Sequence, residues 1–393
     1  MNKGNRQRTG TPTLISLIPF LWGGKGHMLT YHQAVGRAAH RAGWNHVTLY
    51  PISESFTDIP EDWLQCLDVG ALESPGFRKF TLIPLFIDII QFSRSITSNL
   101  IDIAASTRGD RILFVERFNP YQLASIFLSL RSVSQADLYL WLLFRHSPGS
   151  LPRYRLLYRT QVWLLRRLLK DNLVLLTDSE ILKDSLSGFF RLPVDVVPVP
   201  HTVGPKKTAH HKRSSATVCW WAGPPRDAKG WEVMKKLMTL TGPHAKQITI
   251  VAAKSSSLFG LPNGIRSRLI DDTLPPSRYT QQLLATDIVL LPYQPRYYRE
   301  ETSGIFIECV VAGKIPLVTA DTWMAYELGR NNLSELIVNW NDPNLISFLI
   351  SIARRTDVRR RLDSMRKKYS QYHNENNYAA VMAAVYGHRH GGG

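Results

Sequence analysis

The segment DIVLLPYQPRYYREETSGIFIECVVAGKIPLVT, Asp287 to Thr319, decides how this chain folds. IVLLP is a short, continuously apolar run closed by Pro292, as a strand buried on both faces requires. Ser303 is a good N-cap, the apolar residues after it recur helically as far as Gly313, a natural stop, and IPLVT reads as the next strand. The unit is therefore strand, loop, helix, strand. Glu300 stays in the loop, while Glu308 falls about five residues inside the helix, on the order of 7 Å along its axis. Between them the helix start presents the N–H groups of Gly304, Ile305 and Phe306, which the helix leaves unsatisfied and which carry the positive end of its dipole. An anion site with a carboxylate on each side suits a ligand with phosphate in the middle and hydroxyls at both ends, such as a nucleotide sugar. The spacing is also compatible with two surface glutamates beside an ordinary helix cap.

At 393 residues the chain is long for one core and suits two domains of roughly 200 residues each. Its 44% hydrophobic content describes an ordered globular protein. Cys66, Cys219 and Cys309 are far apart and odd in number, which argues against a disulfide framework or a cysteine metal site and for a reducing compartment. The net charge of +17 is compatible with nucleic acid, an anionic membrane surface or phosphorylated substrates. No nucleic-acid module signature accompanies it, and the apolar run FTLIPLFIDIIQF is too short to span a membrane and carries Asp88.

The basic N-terminus followed by apolar residues mimics a signal peptide, but no small-x-small cleavage site follows. TLISLIPFLWGGKGHMLTYHQAVGRAAHRAGWNHVTLYP reads better as strand, glycine-rich loop, amphipathic helix and second strand. The alternation continues through a helical region around residues 80–104, RILFVER, NPYQLASIFLSL, LYLWLLF, a helix from Arg153 to Lys170, NLVLLTDSE and VDVVPVP. It restarts after a polar, basic segment with TVCWWAG, a helix from Lys229, ITIVAA, the helix RYTQQLLAT and the opening segment. Repeated βαβ units make parallel sheets with helices on both faces. The expected class is α/β: two doubly wound Rossmann-like domains facing across a cleft, with an acceptor-binding domain over residues 1–202, a linker over 203–215 and a nucleotide-sugar-binding domain over 216–372. A helical tail over 373–393 is a candidate to return to the first domain.

Each domain opens with a loop of chemical interest. WGGKGH, Trp22 to His27, follows the first strand, so Gly24 and Gly26 would let a phosphate or sugar approach the backbone. Leu29 stands where a dinucleotide fingerprint needs a third glycine. AGPPRDAKGW places Arg226 and Lys229 at a helix start, where two cations would hold a diphosphate.

Together these motifs resemble the retaining, nucleotide-sugar-dependent glycosyltransferases of GT-B fold, in particular glycosyltransferase family 4. The family's carboxylate pair, a Glu, seven residues, then a Glu, is matched by Glu300 and Glu308, and its small-residue turn and helix start by Ser303 and Gly304. Its phosphate loop is matched by Gly223, Arg226, Lys229 and Gly230. In the first half GGKGH is similar to the donor-side glycine loop and LLFRHS to a strand ending in a histidine, here His146, that faces the donor sugar. The chain departs from the family at Glu-Thr-Ser-Gly between the glutamates, and at Pro224 where an arginine directly follows the glycine. The resemblance gives Glu308 the ribose hydroxyls, Glu300 the transferred sugar, and Lys229 with the helix N-terminus the diphosphate. It implies a metal-independent transferase of polysaccharide or glycoconjugate biosynthesis with no cofactor beyond its co-substrate, acting on a glycan or lipid-linked acceptor in the cytoplasm.

Two alternatives stay open. In inverting enzymes of this architecture a histidine near the first loop, here His27, acts as general base on the acceptor. A binding protein for nucleotide sugars or anionic glycans would keep the fold without turnover. The segment RYRLLYRTQVWLLRRLLK further suggests contact with an anionic membrane surface through Leu157, Leu164, Leu165 and Leu168, with Arg155, Arg159, Arg166 and Lys170 opposite and Trp163 nearby. A stripe of that kind also serves as core.

Overall fold

The computed structural model describes residues 10–21, 28–52, 59–73, 82–150, 152–202 and 216–390. The chain divides into two compact units, Met1–His201 with Glu375–Gly393, and Thr202–Asn374.

The first unit is built on a seven-stranded parallel sheet in the order β3-β2-β1-β4-β5-β6-β7. Its strands are β1 Thr13–Leu17, β2 Asn45–Pro51, β3 Leu64–Leu67, β4 Arg111–Glu116, β5 Leu138–Phe144, β6 Leu173–Thr177 and β7 Val194–Val196. The helices between them are α1 Met28–Arg41, α2 Leu82–Ser106, α3 Pro120–Arg131, α4 Pro152–Leu169 and α5 Glu180–Phe190. The strands β1, β4, β5 and β6 are buried at every position, because helices cover both faces and a continuous apolar run is what such a strand needs. One face of the sheet carries α2, α3, α4 and α5 over Leu113, Val115, Leu140 and Leu142. The other carries α1 and the last helix of the chain, whose Tyr378 and Met382 pack with Tyr31, Val35 and Trp141.

The second unit holds a five-stranded parallel sheet in the order β10-β9-β8-β11-β12. These strands are β8 Thr217–Trp220, β9 Ile248–Ala253, β10 Arg266–Ile270, β11 Ile288–Leu291 and β12 Ile315–Val318. Its helices are α6 Trp231–Met238, α7 Pro276–Leu284, the short α8 Pro295–Tyr298, α9 Gly304–Val311, α10 Trp323–Arg330, α11 Leu345–Ile352 and α12 Thr356–Tyr372. The chain ends in α13, Glu375–His390, which belongs to the first unit.

Two expectations need correction. The chain does not enter an α-helix at Lys229: Asp227–Lys229 is one 3-10 turn, Gly230 turns left-handed, and α6 begins at Trp231. Nor do the leucines of α4 form one outward stripe, since Leu165 is fully buried in the core with Tyr158, Val162 and Leu169. The reason is register: the core side of α4 falls on positions 158, 162, 165 and 169, leaving Leu156, Leu157 and Trp163 on the outer surface.

Candidate functional site

In an open parallel sheet, ligands bind outside the carboxyl ends of the strands. In the second unit those ends include the loop after β8 and the loop after β11, which leads to the start of α9. The loop after β8 is held by two glycines. Gly223 has φ 81° and Gly230 φ 76°, a region that side chains with a Cβ avoid. A Cβ on Gly230 would lie 1.9 Å from the carbonyl oxygen of Pro292, so only glycine lets this loop close on the end of β11. The two loops are also joined by the Gln294 N–H, which donates to the Ala228 carbonyl at 3.0 Å, and by Gln294 and Arg296, which donate to Asp227 at 2.7 and 3.0 Å.

This closure turns Lys229 back over its own loop. Its Nζ donates to the Ala222 carbonyl at 3.4 Å and lies 3.0 Å from where a Cβ on Gly223 would stand. The ammonium also sits 5.9 Å from the centroid of the Tyr293 ring. Burial, and then the nearby Arg226, push Lys229 down to about 8, with Glu308 pulling the other way. Arg226 itself is exposed.

Ser303 caps α9 by accepting from the Phe306 N–H at 3.3 Å. Gly304 is exposed, and a Cβ there would meet nothing within 4 Å, so the start of α9 is open on the side of Gly304 Cα. Ile305 is half-buried beside it. One turn further, Glu308 accepts a short hydrogen bond from the hydroxyl of Tyr279. Glu308 keeps some accessible surface, yet burial pushes its carboxyl up to about 7 against the opposing pulls of Tyr279 and Lys229. The contacts thus bring together Gly223, Lys229, Tyr293, Tyr279 and Glu308, with the α9 amides alongside. Glu300 is half-buried in the loop between α8 and α9.

Several solved structures share this arrangement of two parallel sheets. The chain aligns with a glycosyltransferase from Rickettsia africae over 98% of this chain and 100% of that one, with TM-score 0.62 and 14% identity. It aligns with the Anabaena protein HepE, solved with UDP-glucose, over 95% and 99% (TM-score 0.61, 11%). It also aligns with an alpha,alpha-trehalose-phosphate synthase (UDP-forming) from Burkholderia vietnamiensis over 95% and 99% (TM-score 0.62, 11%). The fold is GT-B. No protein-family profile and no curated protein sequence matches the chain.

The first GT-B unit carries its own polar centre at the carboxyl ends of three neighbouring strands. Glu116 closes β4, Arg145 follows β5 and Asp178 follows β6. Arg145 Nε donates to Glu116 Oε1 at 2.7 Å, and its Nη1 makes a short contact with Asp178 Oδ2. His32 Nε2 on α1 lies 3.5 Å from Glu116 Oε2, and the Arg145 guanidinium stacks 4.6 Å over the Tyr31 ring. Burial opposes the charge on Arg145, but Glu116 and Asp178 outweigh it and hold the guanidinium above its usual range.

Arg117 and His146 follow this cluster on the chain. Arg117 is a non-glycine residue in the left-handed region, φ 53°, at the end of β4. His146 is half-buried, and burial, then Arg117, lower its pKa to about 4, so it is a neutral imidazole at physiological pH. Gly24, Gly26 and His27 lie outside the described residues, as does the linker over 203–215. Among the described residues no group of three or more His, Cys, Asp or Glu side chains is placed to hold a metal ion, and no helix is long and apolar enough to cross a membrane.

Tyr279 and Tyr293 carry no functional signal in the sequence. Tyr279 stands 29 residues before its partner Glu308, and only the tertiary fold of the unit joins them. The one local hint is its position in the first turn of a helix opened by Pro275 and Pro276.

Proposed function

We propose that the protein is a glycosyltransferase that moves a sugar from a nucleotide diphosphate sugar to a glycan or lipid-linked acceptor, with retention of configuration and without a metal ion. The observation that carries this reading is the placement of Lys229 over a glycine backbone and near Glu308 of α9. In the scheme, Lys229, Arg226 and the N–H groups of Gly304 and Ile305 take the diphosphate, Glu308 takes the ribose hydroxyls and Glu300 the transferred sugar. As the bond breaks, the departing phosphate gains negative charge and the sugar becomes oxocarbenium-like, so fixed cations and amides aimed at the phosphate lower the barrier. A lysine and an arginine supply the positive charge that a metal supplies elsewhere. HepE, whose structure resembles this one, was solved in complex with UDP-glucose, which supports a donor of this class.

The two glutamates are expected to fail differently. Glu308→Gln removes a contact made in ground state and transition state alike, so it raises the donor KM and weakens the bare nucleoside diphosphate. Glu300→Gln removes a carboxylate that acts most strongly on the positive transition state, so it lowers kcat and leaves nucleotide affinity nearly unchanged. A hydrogen bond to a charged group contributes about 1.5–3 kcal/mol, hence roughly 10- to 150-fold in each case. Glu301→Gln is the control, with a mild effect. Steady-state kinetics in the presence of a chelator test the scheme: equal damage at Glu300 and Glu301 would refute the assignment, and restoration of activity by manganese or magnesium would refute its metal-free part. Turnover with inversion would favour the inverting scheme with His27 as base, and nucleotide binding without transfer would favour a binding protein.

Cytoplasmic placement at the membrane face belongs to the same proposal. The outer surface of α4 exposes Leu156 at 74% and Trp163 at 53% among Arg153, Arg155, Arg159 and Arg167, and the helix has no acidic residue. Basic residues near anionic lipid contribute about 1 kcal/mol each. The protein is expected to sediment with phosphatidylglycerol vesicles at low salt and to be released by salt; sedimentation unaffected by salt, or none, would contradict this surface.

A further inference from the structure

We infer that Tyr279 is a positioning residue for Glu308, and that this pair makes the second unit select ribonucleotides over their deoxy counterparts. The inference rests on the reading of Glu308 as the ribose contact. A glutamate side chain turns about three bonds, and a carboxylate that is to accept from two adjacent ribose hydroxyls must hold one orientation. Tyr279 provides the restraint. Its hydroxyl donates to Glu308 Oε2, and its ring packs edge-on against Trp220, the last residue of β8, with centroids 5.1 Å apart at 61°. Trp220 is itself buried. The backbone N–H of Tyr279 bonds the Pro275 carbonyl at 2.9 Å, tying the residue into the first turn of α7. The phenol is thus fixed by β8 on one side and by its own helix on the other.

The chemistry of the pair suits this task. Burial and the neighbouring Glu308 charge raise the Tyr279 phenol well above its usual range, so the hydroxyl keeps its proton and remains a donor. A carboxylate has about four lone-pair directions, so accepting from one phenol does not exhaust it. Tyr279 also lowers the cost of ionising Glu308, as does Lys229. Loss of the hydroxyl would therefore loosen the carboxylate and weaken it as an acceptor, and both effects act on the ribose hydroxyls rather than on the diphosphate.

The test uses the full-length protein and the tightest binder among ADP, GDP and UDP, compared with the same nucleotide in its 2′,3′-dideoxy form. Wild type is expected to prefer the ribonucleotide by roughly tenfold or more. Tyr279→Phe is expected to weaken the ribonucleotide by roughly tenfold and leave the dideoxy form within about twofold, so the preference collapses. Glu308→Gln should lose the same preference, and the double variant should be little worse than either single one, because the residues act as one unit. Equal weakening of both nucleotides by Tyr279→Phe would mean that the tyrosine only supports the local fold and would overturn the inference alone. Failure of all three nucleotides to bind wild type would overturn the reading of the site as well.

Discussion

Arg145→Met is expected to destabilise the first unit by about 3–5 kcal/mol, the loss typical of removing one partner from a buried ion pair. Glu116 and Asp178 have side-chain exposures of 0% and 1%, so neither carboxylate can turn to water when the guanidinium is gone. The methionine replaces most of the arginine's volume, which isolates the charge effect from a cavity effect. For a unit of this size the loss corresponds to a fall of roughly 6–20 °C in its unfolding temperature. Arg153→Met, at an exposed position on α4, should stay within about 0.5 kcal/mol of wild type. The triple variant Arg145→Met, Glu116→Gln, Asp178→Asn should recover part of the loss, since the uncompensated charges go with the arginine. Scanning calorimetry checks all three, and an Arg145→Met protein that unfolds with wild type would show that the cluster holds nothing together.

Lys229→Met is expected to weaken nucleoside diphosphate binding by roughly 30-fold to several thousand-fold, the range for truncating one member of a buried charge pair. Lys229 stands in the centre of its loop, with the Ala222 carbonyl and the Tyr293 ring as close neighbours. A bound diphosphate replaces that weak company with full negative charge. Arg226→Met, at the exposed rim, should cost less.

The site also predicts a pH profile. Lys229 carries its charge below about 8 and Glu308 above about 7. Affinity should therefore fall as pH drops through 7, where Glu308 takes a proton, and again as pH rises above 8, where Lys229 loses one. Binding of the anion raises the Lys229 value, so the alkaline limb should lie further out in the complex than in the free protein. The phenols of Tyr279 and Tyr293 stay protonated across this window.

The central strands were legible in the sequence because burial on both faces leaves a run such as LYLWLLF no other place to go. The edge strands were not. β3, LQCL, and β10, RSRLI, lie at the sheet edges with exposed or half-buried positions, and the two exposed arginines of β10 interrupt its apolar signal. The helix α5, although capped by Ser179, lay hidden between two strands read as neighbours. At the site, the sequence shows the loop and helix-start residues because glycine, lysine and a serine cap are local requirements. It does not show Tyr279, whose part depends on two helices meeting in space. It also misplaces Lys229 by treating the loop as a direct helix start, when Gly230 must turn left-handed under the Pro292 carbonyl before α6 begins.

The most direct test of the nucleotide site is calorimetric titration of ADP, GDP and UDP into wild type and Lys229→Met, with a chelator present. Saturable binding of at least one nucleotide to wild type at one site is expected, with affinity lower by roughly 30-fold or more in the variant. Binding that needs an added divalent metal, or an affinity that Lys229→Met leaves unchanged, would contradict it.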